Sequence, residues 1–364
     1  MNFKELKELI QINSYTKNKD GVDLNRDIYI GHMKKLGYQY KLYERDEIGD
    51  HILFTSSKKE GKKLLLLGHI DTVFPKGTFC DFKEDEKWIY GPGVCDMKGG
   101  NIVAIEALKN IHNKYGKIEN IDFMLVSDEE SGSDDSKLVT AKVAKEYNYC
   151  LVYEAAGEEL EVVVARKGVG TFYIDIEGKA AHAGNNYTKG VDANLEASYK
   201  LQDLVKLTDL EKGTTVNVGK MEGGIGANTI SPHAKLTFEV RYTQTNEKER
   251  ILKQIDQIVN KSYVQGTISN LSGGIQRDVM QVCENQTNFL RAIESYTSEK
   301  LLTEKRGGVS DANVVASVGT AVLDGFGPFG DGDHTKFEKA LKSSFNQRIK
   351  LSTQIFEGVI KGDI

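Results

Sequence analysis

Three short apolar runs in the first half of the chain each end on residues able to bind a cation. No other feature constrains the fold as strongly. Residues 63–67 run into Gly68-His69-Ile70-Asp71, residues 121–126 into Ser127-Asp128-Glu129-Glu130, and residues 149–153 directly into Glu154. Each run is branched or aromatic in character and bounded by polar residues or glycine, the pattern of strands buried on both faces of a parallel sheet. Between the first two lies a helical stretch, 98–112, with Ile102, Ile105, Leu108 and Ile111 at helical spacing. Leu24, Ile28, Met33 and Leu36 predict an earlier helix that stops at Gly37. The first ten residues predict an amphipathic helix with Phe3, Leu6, Leu9 and Ile10 on one face. Alternating strand and helix implies a doubly wound, mostly parallel α/β sheet. The ligand crevice of such sheets lies beyond the carboxyl ends of the strands, where the residues after the three runs would converge.

The middle of the chain reads differently. Residues 169–177 and 235–242 alternate like strands with one open face, and 195–207 and 247–259 read as amphipathic helices. The order strand–helix–strand–strand–helix–strand, with antiparallel alternation, is that of a small ferredoxin-like α+β domain. After about residue 276 the α/β pattern returns, with helices expected at 289–300 and 311–318 and an apolar run at 320–323. The expected organisation is one α/β domain of 1–166 plus 278–364, interrupted by a smaller inserted α+β domain of 167–277. A length of 364 residues agrees with two domains. The 48 basic residues against 53 acidic ones provide no basic face for nucleic acid or anionic membrane, so neither partner is expected. Four scattered cysteines, Cys80, Cys95, Cys150 and Cys283, read as buried free thiols of a reducing compartment. The amino-terminal residues lack the apolar core of a signal peptide and no apolar window is long enough to span a bilayer, so a cytoplasmic location is expected.

Two more cation-binding candidates lie outside the apolar runs. Asp96 sits in Gly91-Pro-Gly-Val-Cys-Asp96-Met-Lys-Gly-Gly100, just before a helix, and His334 ends Phe329-Gly-Asp-Gly-Asp-His334. Each motif alone has an ordinary explanation: a chance His-x-Asp, a solvated acidic turn, a surface glutamate, an exposed histidine in a glycine turn. Their joint occurrence at strand ends is what those explanations leave out. Two histidines with several carboxylates suit zinc or a similar divalent ion. Five ligands exceed one tetrahedral ion but suit two ions, roughly 3.5–4 Å apart, that share a carboxylate. A neighbouring carboxylate must then stay off the metal to carry a proton from water to a leaving amine, and Glu129-Glu130 offers that division of labour.

Five blocks together resemble one family: Gly68-His-Ile-Asp-Thr-Val73, Tyr90-Gly-Pro-Gly-Val-Cys-Asp-Met-Lys-Gly-Gly-Asn101, Ser127-Asp-Glu-Glu-Ser-Gly-Ser133, Gly178-Lys-Ala-Ala-His-Ala-Gly184 and Gly307-Gly-Val-Ser-Asp-Ala-Asn313. They are similar to the signature blocks of the co-catalytic zinc metallopeptidases and deacylases, which include glutamate carboxypeptidase, acetylornithine deacetylase, succinyl-diaminopimelate desuccinylase and peptidase T. The resemblance implies that His69 and Glu154 bind one zinc, Glu130 and His334 the other, and that Asp96 bridges them. Cobalt or manganese would also accept this set. It further implies Glu129 as general base, Asp71 as the residue orienting His69, and a homodimer formed through the inserted domain. In that dimer His182 would help hold the oxyanion of the partner's substrate. Arg241 resembles an arginine that grips the substrate carboxylate, and Asn228, Gly307 and Gly308 match other substrate-contacting positions. Glutamate at position 154 accompanies carboxypeptidases and deacylases, so the expected reaction frees a C-terminal amino acid, with glutamate the first candidate, from a peptide or N-acyl amino acid. The rivals are an N-acyl amino acid deacetylase or desuccinylase of biosynthesis and a non-catalytic metal- or metabolite-binding relative. Two segments depart from the glutamate carboxypeptidase pattern: Ala155-Ala156-Gly157 after Glu154, and the added glycine and aspartate before His334, where Asp333 is a candidate contact to His334.

Overall fold

A run of four leucines with no polar side chain can be accommodated only where both faces are covered, and Leu64, Leu65, Leu66 and Leu67 are all fully buried. The computed structural model, which describes residues 3–364, places them in a sheet. Its first five strands are β1 (Gln39–Tyr43), β2 (His51–Thr55), β3 (Leu64–His69), β4 (Ile121–Val126) and β5 (Tyr149–Val152), arranged β1-β2-β4-β3-β5. β3 runs parallel to β4 and β5, while β2 is antiparallel to β4 and pairs with β1. In register, His69 lies opposite Val126 and Leu67 opposite Val152, so the chain leaves three adjacent strands at one edge. Helices α1 (Lys4–Gln11), α2 (Lys19–Lys35), α3 (Lys98–Tyr115) and α4 (Ser136–Ala144) belong to this part of the chain. α3 ends at Gly116, whose φ of 72° supplies the left-handed stop. The expected amino-terminal helix begins at Lys4; Met1 and Asn2 lie outside the described residues. Leu24 does not join the apolar face of α2, being 54% exposed, and Val22, Asn25, Tyr29 and Met33 point inward instead.

The chain divides into two units, Met1–Ala165 with Val282–Ile364, and Arg166–Gln281. The second unit holds β6 (Gly168–Glu177), α5 (Ala193–Val205), β7 (Thr215–Gly223), β8 (His233–Tyr242), α6 (Thr245–Asn260) and β9 (Ile268–Arg277). Its sheet is antiparallel throughout, in the order β7-β8-β6-β9, the ferredoxin-like arrangement. Alternate residues of β8, from Ala234 to Tyr242, are buried against Ala193, Ala197 and Leu204 of α5 and Ile251 and Ile255 of α6. Asp192 caps α5 by accepting from the amides of Asn194 and Leu195. At the seam of this unit Arg166 and Met280 exchange two main-chain hydrogen bonds, of 2.9 and 3.1 Å.

Beyond the second unit come α7 (Glu284–Thr297), α8 (Asp311–Ser317), β10 (Ala321–Leu323) and α9 (Lys342–Lys361). β10 adds to the first sheet, parallel to β5. α7 starts five residues earlier than expected because its first turn is polar, with Gln286 as its first buried side chain. α8 opens with a capping box in which Ser310 and Asn313 satisfy each other's amides. α9, the longest helix among the described residues, was not expected from the sequence; it packs on α3 and buries Phe345, Leu351, Ile355, Phe356 and Val359. No helix of the described residues is long and apolar enough to cross a membrane. Cys95 and Cys150 are buried free thiols, whereas Cys80, in a loop, and Cys283, just before α7, are exposed.

Candidate metal centre

The edge where β3, β4 and β5 end collects the charged residues. β3 ends on His69, Glu129 and Glu130 lie in a single 3-10 turn after β4, and Glu154 follows β5 by two residues. Asp96 precedes α3, and His334 sits in a turn with φ of 61°. Two groups form, His69 with Asp96 and Glu154, and Asp96 with Glu130 and His334, each with its ligand atoms within 4.8 Å of one another. Asp96 is common to both and divides its oxygens between them. Oδ1 lies 3.0 Å from His69 Nε2 and Oδ2 lies 3.2 Å from His334 Nε2. His69 Nε2 is 3.8 Å from Glu154 Oε1, and His334 Nε2 is 3.0 Å from Glu130 Oε2.

The donor set fits divalent cations. His69 Nδ1 lies 3.1 Å from the carbonyl oxygen of Asp71, which can only accept, so Nδ1 carries a hydrogen and Nε2 is the ring nitrogen that faces Asp96. Acceptors packed this closely repel one another unless a proton or a cation lies between them. Protons can meet that need, as the titrating groups show. Burial, then the Asp96 charge, pushes Glu130 up to about 8, and the same two causes push Glu154 well above the usual carboxylate range. Burial opposes protonation of His69, yet hydrogen bonds to Asp71 and Asp96 hold it well above the usual histidine range. Hydrogen bonds to Asp96 and Glu130 hold His334 up to about 11. Glu129 belongs to neither ligand group and lies close enough to Glu154 to disfavour its charge.

A second layer of side chains holds the ligands. Asp71, fully buried, accepts through Oδ2 from the hydroxyl of Thr16 at 2.7 Å and from the amide of Glu130 at 3.2 Å. Its Oδ1 stands 3.4 Å from His69 Nδ1. One carboxylate therefore faces residues of both groups. Asn101 donates to the carbonyl of His69 at 2.7 Å. Ser133 donates to Asp311 at 2.6 Å and so ties the turn after Glu130 to the start of α8. Asp333 turns to the Cys95 thiol, 3.5 Å away. Glu338, buried among the amides of Gly93, Cys95 and Asp96, is pushed up to about 7 by burial despite those hydrogen bonds. Sequence reasoning missed Thr16 and Glu338. Nothing singles out Thr16, whereas Glu338 carries a weak signal as a carboxylate four residues after His334.

The other expected residues belong to neither ligand group. Gly307 and Gly308 form the exposed turn before α8. His182, Asn228 and Arg241 belong to the second unit. The His182 ring is exposed, and its Nδ1 accepts from the amides of Gly184 and Asn185, which leaves the hydrogen on Nε2. The Asn228 loop is bound to the His182 loop, because the Ala183 amide donates to the Asn228 carbonyl at 2.9 Å. The Arg241 guanidinium forks onto Glu239 two residues away, at 2.7 and 3.2 Å.

A doubly wound sheet with two cation-ready clusters at its strand ends, carrying an inserted antiparallel domain, is the architecture of a two-domain metallohydrolase. Residues 164–267 match the M20 family of peptidase dimerisation domains. The chain is 27% identical over 365 residues to carboxypeptidase G2 of Pseudomonas sp. (strain RS-16), covering 97% of this chain and 88% of that one. It is 26% identical over 344 residues to succinyl-diaminopimelate desuccinylase of Buchnera aphidicola, covering 87% and 88%. Its fold is shared with aminopeptidase PepT of Bacillus cereus, with a TM-score of 0.80, 22% identity and 98% and 97% of the two chains covered. The chain is thus similar along most or nearly all of its length to a carboxypeptidase and to a desuccinylase, two of the activities that the signature blocks implied, and its inserted part matches a peptidase dimerisation domain.

Proposed function

We propose that the protein is a two-metal amidohydrolase that releases the C-terminal amino acid of a small peptide or N-acyl amino acid, with glutamate the first residue to test. The observation that carries this reading is the single carboxylate of Asp96 shared by two histidine-carboxylate groups, with Glu129 beside them. His69, Asp96 and Glu154 would hold one ion, and Asp96, Glu130 and His334 the other, zinc being the first candidate. Bound there, such ions supply Lewis acidity to an amide carbonyl and make water a nucleophile at neutral pH. Glu129 takes the water's proton and hands it to the leaving amine. Asp71 fixes the ring of His69 and the backbone of Glu130.

His182 supplies a donor to the oxyanion of a partner copy's substrate, in a homodimer formed by residues 167–277. The hydrogen bonds to its Nδ1 support this role, because they leave Nε2–H as the outward donor. Arg241 grips the substrate's free carboxylate, with the substrate taking the place that Glu239 holds in its fork. Asn228 and the Gly307-Gly308 turn would complete the substrate contacts. The similarity to a desuccinylase supports a second reading, removal of an acyl group from a biosynthetic amino acid. Metal analysis combined with turnover of an N-acylglutamate, an N-acetylornithine, an N-succinyl diamino acid and a dipeptide panel separates the two. Failure to cleave any glutamate-terminated substrate refutes the carboxypeptidase reading.

A further inference from the structure

Glu338 is 1% exposed, belongs to neither ligand group and has no part in the proposed chemistry. Its Oε2 accepts from the amide of Gly93 at 2.9 Å, and its Oε1 from the amides of Cys95 at 3.1 Å and Asp96 at 3.2 Å. The Cys95 thiol lies 3.5 Å from Oε1, and the Glu338 carbonyl accepts from the amide of Gly91 at 3.3 Å. Every one of these bonds lands on the loop that presents Asp96. Four residues earlier, His334 meets the Asp96 carboxylate itself at 3.2 Å. One turn thus grips Asp96 by its side chain through His334 and by its main chain through Glu338.

We propose that Glu338 is a positioning residue of the metal centre: its carboxylate fills the nest of amides at 93–96 and fixes Asp96, before any ion arrives, with one oxygen toward each ligand group. The proposal rests on the two-metal reading above. Converging amides form a concavity that favours an anion. Here the chain provides that anion from a residue 245 positions away in sequence. Without it, three buried donors lose their acceptor and the loop relaxes. Because Asp96 is shared, both ion sites weaken together. Glutamine preserves the size of the side chain, but its NH2 group meets at least one amide donor-to-donor.

The test compares Glu338→Gln with the wild type, both full-length and stripped of metal. Zinc is titrated against a competing chelator, circular dichroism checks folding, and hydrogen exchange follows segment 91–97 without zinc. The expected result is a folded variant that binds both ions about 10- to 100-fold more weakly, as loss of a metal-supporting contact does. The zinc-free wild type should protect the amides of Gly93, Cys95 and Asp96, and the variant should exchange them faster. A folded Glu338→Gln that binds two ions at wild-type affinity overturns the proposal. Should the variant fail to fold, the wild type decides: amides of 93–96 that exchange freely without zinc overturn it, and protected ones support it. A wild type that binds fewer than two ions refutes the two-metal reading instead, and the exchange data still judge the tether.

Discussion

Replacing Asp71 by asparagine preserves size and removes one acceptor from a fully buried position. If the amide nitrogen takes the place of Oδ2, it faces the Thr16 hydroxyl, which can reverse and accept, and the Glu130 amide, which cannot. If it takes the place of Oδ1, it faces the hydrogen on His69 Nδ1 across 3.4 Å. Either orientation sets donor against donor, at a cost of about 1–3 kcal/mol. At about 1.4 kcal/mol per tenfold, that predicts zinc binding weakened about 5- to 150-fold. The loss should fall mainly on one ion, the one held by Glu130 or the one held by His69 according to orientation. Thr16→Val removes a single hydroxyl donor and leaves the other two contacts of Asp71. Its effect should be near 1 kcal/mol, or about fivefold. Calorimetric titration of zinc into metal-free protein, with a chelator to reach the tighter site, measures all three proteins. Asp71→Asn within twofold of wild type, or Thr16→Val more damaging than Asp71→Asn, would falsify this account of the support layer.

Glu129→Gln should leave zinc content intact while hydrolysis falls by about 10²- to 10⁴-fold, since only the proton carrier is lost; metal analysis and initial rates on one preparation check both halves. Gly100→Ala puts a methyl group 1.9 Å from the carbonyl oxygen of Tyr153, a main-chain atom next to Glu154. It should cost about 1–3 kcal/mol in urea unfolding and weaken zinc binding at the His69 group, so an unchanged midpoint would count against this tight helix-to-strand packing. Glu357 accepts hydrogen bonds from Lys114, Lys361 and Tyr115, which hold it down to about 2. The folded state then binds fewer protons than the unfolded one between about pH 2 and the ordinary glutamate value, so this stabilisation is present above that window and fades as pH falls through it. Glu357→Gln should therefore cost up to about 1 kcal/mol at pH 7 in low salt and almost nothing near pH 2, a contrast that unfolding curves at the two pH values will show.

What could be read in the sequence follows from where burial is complete. β3, β4 and β5 are covered on both faces, so their residues form nearly unbroken apolar runs and the charged residues that end them stand out. β7 and β9 of the second unit are largely exposed and built from glycine, serine, asparagine and lysine, so little patterning marks them. α9 stayed hidden for the opposite reason. Its buried stripe contains Arg348, Ser344 and Ser352, and Arg348 Nη2 donates to the carbonyls of Leu160, Glu161 and Gly325. The candidate ligands were legible as residue types at strand ends. Thr16 and Glu338 act through hydrogen bonds to distant parts of the chain, and beyond the place of Glu338 four residues after His334 no local spacing marks them. The Glu239 partner of Arg241 lay in plain sight, because residues two apart on a strand share a face.

The paired main-chain bonds between Arg166 and Met280 give the inserted unit a property of its own. Its two ends emerge side by side, so to the rest of the chain the whole insertion amounts to a hairpin turn. Closing a loop costs entropy that grows only with the logarithm of its length, and here the closure is made within the inserted unit itself. Such a segment behaves as a cassette. Its paired ends are what a short bridging link, or new termini made by joining the old ones, would require.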